Sequence, residues 1–152
     1  SSALGMKVLS FDLFKDEDFL SKYPEVSFVE SLNIIYENAD IISLHLPHNK
    51  ETEHLINKEV IFKKLKRKPI LINTARGMLV DTKALIKGLK TKHLAGYLTD
   101  VLAHEPMLKD EVLLGLDNVI ITPHIGSRTY ESVQRQGVMA VNNLLNLLKS
   151  EN

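Results

Sequence analysis

Ile70-Leu71-Ile72 is an apolar run of three residues, with Pro69 before it and Asn73-Thr74-Ala75-Arg76-Gly77 after it. A run this short, bounded by a proline and by small polar residues, predicts a buried strand of a parallel sheet. In an open α/β sheet, ligands bind beyond the carboxyl ends of the strands. Arg76 stands at such an end, between Ala75 and Gly77, whose small size lets the backbone turn and a ligand approach. A guanidinium there suits a carboxylate or phosphate, held through two parallel hydrogen bonds. The competing reading is an ordinary surface arginine at a strand end.

The rest of the chain alternates in the same style. Ala3-Leu4-Gly5 reads as the last turn of a helix closed by glycine, and Met6 to Asp12 as a strand ending in an acid. Asp16 to Lys22 is a short predicted helix, Ser27 to Val29 a short strand, and Glu30 to Asn38 a helix with Leu32, Ile35 and Tyr36 at helical spacing. Asp40 to Pro47 reads as a strand with a proline stop, followed by a polar loop over His48 to Thr52. Asn57 caps a helix reaching Lys66, and Asp81 caps another over Thr82 to Leu89. Leu94 to Val101 is the next strand, with Gly96 allowing close backbone approach. A helical turn over Glu111 to Gly115, a last strand over Asn118 to Thr122 and a long amphipathic helix from Tyr130 to Lys149 complete the pattern. Alternating strands and helices imply right-handed βαβ units and a mostly parallel, doubly wound sheet.

Composition narrows the function classes. The 152 residues suit one domain. Zero net charge gives no footprint for nucleic acid or an anionic membrane. With no cysteine there are no disulfides, thiolate metal sites or cysteine nucleophile, and a cytoplasmic setting is compatible. No apolar run approaches the ~20 residues that a membrane helix needs.

Three predicted strands end in polar groups of different kinds: Arg76 after the first, Asp100 and then Glu105 after the second, His124 after the third. Strand ends of one parallel sheet share an edge, so these groups are expected to converge. Imidazole exchanges a proton near neutral pH, a carboxylate can fix its tautomer, and a guanidinium can fix a substrate carboxylate. For His124 alone the plain alternative is a hydrogen-bonded structural histidine. Asp12 ends the first strand, where an acid in a dinucleotide-binding domain accepts hydrogen bonds from ribose hydroxyls and favours NAD over NADP; otherwise it caps the next segment. The seven glycines contain no Gly-x-Gly pair. His45 and His48 have a spacing seen in metal sites, but Pro47 lies between them and no third ligand is evident, so no metal is expected. The basic run from Lys63 to Lys68 sits at a predicted helix end, where positive charge belongs.

Four segments, in this order, resemble the D-isomer-specific 2-hydroxyacid dehydrogenase family: Ser-Leu-His-Leu-Pro at 43–47, Ile-Asn-Thr-Ala-Arg-Gly at 72–77, Asp-Val-Leu-Ala-His-Glu-Pro at 100–106, and Asn-Val-Ile-Ile-Thr-Pro-His-Ile-Gly-Ser at 118–127. The resemblance covers nearly the whole chain, and only the family's nucleotide-binding domain. It implies that Arg76 binds the substrate carboxylate, that His124 is the acid/base and that Glu105 is its partner. It also implies an NAD site lined by Asp12, Leu46, Pro47, Thr52, Thr74, Ala75, Arg76, Asp100, His124 and Gly126. The implied reaction is reversible reduction of a 2-oxo acid, in a parent enzyme that is a homodimer.

Two departures accompany the resemblance. The family's first strand with its Gly-x-Gly-x-x-Gly loop has no counterpart here, and neither has its substrate domain. Met6 to Asp12 then corresponds to the family's second strand, and residues 1–152 are expected to be a partial Rossmann-like domain, inactive alone. The family resemblance also extends to transcriptional corepressors, so a dinucleotide-sensing interaction module without turnover is the alternative.

Overall fold

The computed structural model describes residues 1–150. It divides into two units, Ser1–Ile121 and a second that begins at Thr122.

The first unit is built from parallel strands and short helices. A 3₁₀ turn over Ser2–Leu4 ends at Gly5, whose φ of 75° is left-handed, as the helix-closing glycine required. Strand β1 (Val8–Ser10) leads to helix α1 (Glu17–Lys22) and strand β2 (Val26–Phe28). Asp16 caps α1 by accepting a 2.8 Å hydrogen bond from the Phe19 amide, with Glu17 and Asp18 in the first turn and Lys22 in the last. Helix α2 (Leu32–Asn38) is capped by Ser31, which accepts from the Asn33 amide at 3.2 Å. Strand β3 (Ile41–Leu44) follows.

Asn57 caps the next segment as expected, its Oδ1 accepting from the amides of Glu59 and Val60 at 2.9 and 3.1 Å. The segment then widens instead of continuing as an α-helix. Over Val60–Lys64 the ladder spans five residues, and the Leu65 amide reaches the Val60 carbonyl at 3.0 Å. Strand β4 (Ile70–Asn73), helix α3 (Thr82–Lys90), strand β5 (Gly96–Thr99), a 3₁₀ turn over Val112–Gly115 and strand β6 (Val119–Ile121) complete the unit. Asp81 caps α3 through the Ala84 amide at 3.1 Å, and the helix buries Ala84, Leu85, Gly88 and Leu89.

The strands form two parallel sheets, β1-β2 and β3-β4-β5-β6. The four-stranded sheet ends flush. Leu44 is in register with Asn73, Asn73 with Thr99, and Thr99 with Ile121. The connections after these strands therefore leave from one edge. Strands β1 and β3 are shorter than the spans the sequence indicated, so Asp12 lies past the end of β1, and Leu46 and Pro47 past β3. One apolar cluster fills the unit, with Tyr36, Ile42, Leu44, Ile61, Leu71, Leu85 and Tyr97 among its members. All its buried members lie between Tyr36 and Leu113, so β1 and β2 contribute none. Burial holds the Tyr36 phenol neutral, its pKa pushed up to about 12.

The second unit holds helix α4 (Tyr130–Ser150), preceded by the segment with His124 and Gly126. Thr129 caps α4, its hydroxyl accepting from the Ser132 amide at 3.2 Å. No helix among the described residues is long and apolar enough to cross a membrane.

Candidate active site

The turn that presents Arg76 is fixed from its buried end. Asn73 closes β4 and is fully buried. Its Oδ1 accepts from the Ala75 amide at 3.1 Å, and its Nδ2 donates to the Arg76 carbonyl at 2.9 Å and to the Tyr97 hydroxyl at 3.4 Å. The Asn73 main-chain carbonyl accepts from the Thr99 hydroxyl at 3.0 Å and the Asp100 amide at 3.1 Å. Burial raises the Tyr97 pKa, against hydrogen bonds with Thr99 and Asn73 that lower it. The Arg76 backbone is extended, with φ −146° and ψ 137°. Its side chain is exposed, with Nη1 donating to the Ala75 carbonyl at 2.6 Å.

Gly77 packs against the next loop. A Cβ on it would overlap the carbonyl carbon and oxygen of Leu102 and the nitrogen of Ala103. The turn carrying Thr74, Ala75 and Arg76 is thereby pressed, backbone to backbone, onto the segment leading to Glu105. The Leu102 amide donates to Glu105 Oε1 at 2.9 Å, which anchors that carboxylate beside the same seam. Asp100, at the start of this segment, is buried.

Only backbone movement could relieve the overlap at Gly77, so Gly77→Ala is expected to cost about 1–3 kcal/mol or more. Gly88 is a built-in control. Its added Cβ would meet Ile61 Cγ2 at 2.7 Å, a methyl of a buried side chain and not main chain, and alanine's helix preference offsets part of the crowding. Denaturant melts of the two variants in the full-length protein should therefore show a larger loss for Gly77→Ala than for Gly88→Ala. Equal losses would deny the seam its rigidity.

A third connection joins these two. The Thr52 hydroxyl donates to the Pro47 carbonyl at 2.7 Å and closes the loop after Leu46. Beyond it, the His54 and Ile56 amides donate to the carbonyls of Met78 and Leu79 at 2.9 and 3.0 Å, and the Asp81 amide returns to the Ile56 carbonyl at 3.0 Å. Leu46, Pro47 and Thr52 thus share one loop, tied to the segment after Arg76.

The other expected residues stand elsewhere. Asp12 is exposed beyond the two-stranded sheet, one carboxylate oxygen accepting a long 3.4 Å bond from the Phe14 amide. Lys15 is ion-paired with Glu17 at 2.9 Å, which raises its pKa. His124 and Gly126 belong to the second unit. His124 has φ 53°, and its amide donates to the Thr122 carbonyl at 3.0 Å. His45 forms a 2.9 Å hydrogen bond with the Ser43 hydroxyl. The sequence reading missed Asn73, Tyr97 and the packing role of Gly77. The available signal was Asn73 itself, a carboxamide ending an otherwise apolar strand.

The comparisons with known proteins show the family and the fold. The family model for "D-isomer specific 2-hydroxyacid dehydrogenase, NAD binding domain" matches residues 1–126. The glyoxylate reductase of Thermofilum pendens is 42% identical over 150 residues, covering 99% of this chain and 44% of the relative. The (S)-sulfolactate dehydrogenase of Chromohalobacter salexigens is 40% identical over 144 residues, covering 95% of this chain and 46% of the relative. The crystal structure of D-lactate dehydrogenase from Aquifex aeolicus, complexed with NAD and lactic acid, superposes with a TM-score of 0.83 at 37% identity, covering 98% of this chain and 48% of that one. The chain spans about half the length of the curated relatives it matches. Its parallel α/β architecture is that of the Rossmann-like domains of these enzymes, and the chain belongs to the D-isomer specific 2-hydroxyacid dehydrogenase family through its NAD-binding domain.

Proposed function

We propose that this chain is part of an NAD-dependent oxidoreductase that interconverts a small 2-oxo acid and a D-2-hydroxy acid. On this reading residues 1–152 are a partial dinucleotide-binding domain that does not turn over alone. The flush edge of the four-stranded sheet carries the argument. Arg76 follows the end of β4 and Glu105 follows the end of β5, on connections pressed together at Gly77 and Leu102. His124 follows Ile121, itself in register with Thr99. Arg76 and Glu105 come from neighbouring strand ends, and by the family resemblance His124 joins them; a guanidinium, a carboxylate and an imidazole suit reduction of a carbonyl next to a carboxylate.

The residues fit NAD at its ribose end. Asp12 offers carboxylate acceptors to the two hydroxyls of the adenosine ribose. The neighbouring cation, Lys15, is engaged by Glu17, so it does not invite a 2′-phosphate. Leu46, Pro47, Thr52, Thr74, Ala75, Asp100 and Gly126 complete the proposed lining. NADH, when bound, supplies the hydride that reduces the substrate carbonyl carbon.

Arg76 holds the substrate carboxylate through two parallel hydrogen bonds and orients the adjacent carbonyl. His124 gives its proton to the carbonyl oxygen as that oxygen becomes a hydroxyl, and takes it back in the oxidation direction. Glu105 stabilises the imidazolium and holds its tautomer. Each reduction consumes one hydride and one proton. The relatives are named for glyoxylate, sulfolactate and lactate, which brackets the substrates as short 2-oxo acids.

The test is NADH oxidation by the full-length protein with glyoxylate, pyruvate and hydroxypyruvate. Arg76→Lys keeps the charge but loses the planar fork, so the KM for the oxo acid is expected to rise about 10–100-fold. Absence of turnover with every small 2-oxo acid would end this reading in favour of dinucleotide sensing.

A further inference from the structure

The geometry points to Asn73 as a positioning residue for Arg76, setting the direction in which the guanidinium leaves the sheet edge. The inference rests on the reading of Arg76 as the anchor of the substrate carboxylate.

A buried carboxamide is costly unless each of its polar atoms has a partner. An apolar residue at the end of β4 would extend the run Ile70-Leu71-Ile72 at no such cost. Asn73 instead spends its hydrogen bonds on the turn that carries Arg76. Its Oδ1 takes the N–H of Ala75, before Arg76, and its Nδ2 takes the carbonyl of Arg76 itself. One rigid group therefore ties down the main chain on both sides of the Arg76 Cα. With these two contacts fixed, the backbone cannot turn about Arg76 without breaking one of them. Nδ2 also reaches the buried Tyr97 hydroxyl on β5, which braces the carboxamide from the neighbouring strand.

The same device reaches Glu105. The Asn73 main-chain carbonyl receives both the Thr99 hydroxyl and the Asp100 amide, fixing where the β5 connection starts. Gly77 then rests on Leu102, whose amide holds Glu105. Asn73 thus sets one side of a seam whose two faces present Arg76 and Glu105. A displacement of about 1 Å at such a site can cost on the order of 100-fold in rate.

Asn73→Asp is nearly isosteric. It keeps the acceptor for the Ala75 amide and removes the donor to the Arg76 carbonyl. In the full-length protein the KM for glyoxylate is expected to rise on the order of 10–100-fold, while the KM for NADH stays within about twofold. The deciding measurement is a double-mutant cycle with Arg76→Ala. Because the Asn73 carboxamide acts through the guanidinium, and the main-chain carbonyl that serves the Glu105 connection is untouched by the substitution, adding Asn73→Asp to Arg76→Ala should change glyoxylate use by less than about twofold. Equal rises in both KM values, or losses that multiply in the double variant, would overturn the role. If Asn73→Asp does not fold, Asn73→Ser, which can satisfy one of the two contacts but not both, takes its place in the cycle. If neither variant folds, Asn73 is core structure only and the inference fails. An Arg76→Ala variant with unchanged glyoxylate KM would reject the Arg76 reading and the inference with it. A large Arg76→Ala effect with independent Asn73 effects rejects the inference alone.

Discussion

His124→Gln in the full-length protein is expected to lower kcat for 2-oxo acid reduction by about 10²–10⁴-fold, the usual contribution of a positioned acid or base. NADH affinity should remain close to wild type. Glutamine can hydrogen-bond a carbonyl oxygen, but its amide does not release a proton near neutral pH. The substitution also touches the backbone. His124 has φ 53°, a region that residues other than glycine adopt infrequently and hold where the surroundings impose it. Its amide is bonded to the Thr122 carbonyl, and Pro123 before it has a fixed φ. Glutamine is less favoured than histidine at this φ, so an unchanged circular dichroism melt is the control that assigns the loss to the imidazole and not to the turn. Steady-state rates and a fluorescence titration with NADH separate the two quantities. A kcat within about threefold of wild type would remove His124 from the acid role.

The order of elements was legible because capping and apolar spacing are local. Asn57 and Asp81 each cap where the sequence indicated, and Asp16, read as the first residue of a short helix, is its cap. Strand lengths were less legible, since a ladder extends only as far as its partner. Met6 to Asp12 has the composition of a longer strand, but it pairs only over Val8 to Ser10, opposite the three residues of β2. The wide turn at Val60–Lys64 has the apolar spacing of an ordinary helix and differs only in which carbonyl each amide reaches. At the site, Arg76, Asp100 and Glu105 were visible as polar groups at strand ends, a position with a physical meaning in parallel sheets. Asn73 was not. An asparagine after an apolar run looks the same whether it turns in solvent or lies buried, and its role depends on Tyr97, twenty-four positions on. Gly77 was visible as a small neighbour of Arg76, but the Leu102 backbone against which it packs comes from another connection.

The isolated 152-residue chain is expected to show no saturable NADH binding in the low micromolar range. The pyrophosphate of a dinucleotide is ordinarily received by main-chain N–H groups of a glycine-rich turn and by a helix N-terminus. This chain contains no Gly-x-Gly pair, and Asp12 presents acceptors, which suit ribose hydroxyls and repel phosphate oxygens. The sheet gives a second reason. In the Rossmann order the first strand stands between the second and the fourth. By the family resemblance β1 corresponds to the second strand and β3 to the fourth. Here β1 pairs with β2 and β3 with β4, and among the described residues β1 and β3 do not pair with each other. The apolar cluster draws no buried residue from β1 or β2, so little apolar packing fixes the two sheets in relation to each other. Each main-chain group left without a partner in a buried place costs about 1–3 kcal/mol, against a total stability of about 5–15 kcal/mol for a typical domain. The ribose acceptor on one sheet and the Arg76 turn on the other thus lack the shared strand that holds them in register. Calorimetric titration with NADH, run on this chain and on the full-length protein, reads the difference. Micromolar saturation by the full-length protein alone is the expected result. Equal affinity in both would mean that the glycine-rich turn is dispensable, and that the main-chain donors for the pyrophosphate lie within these 152 residues.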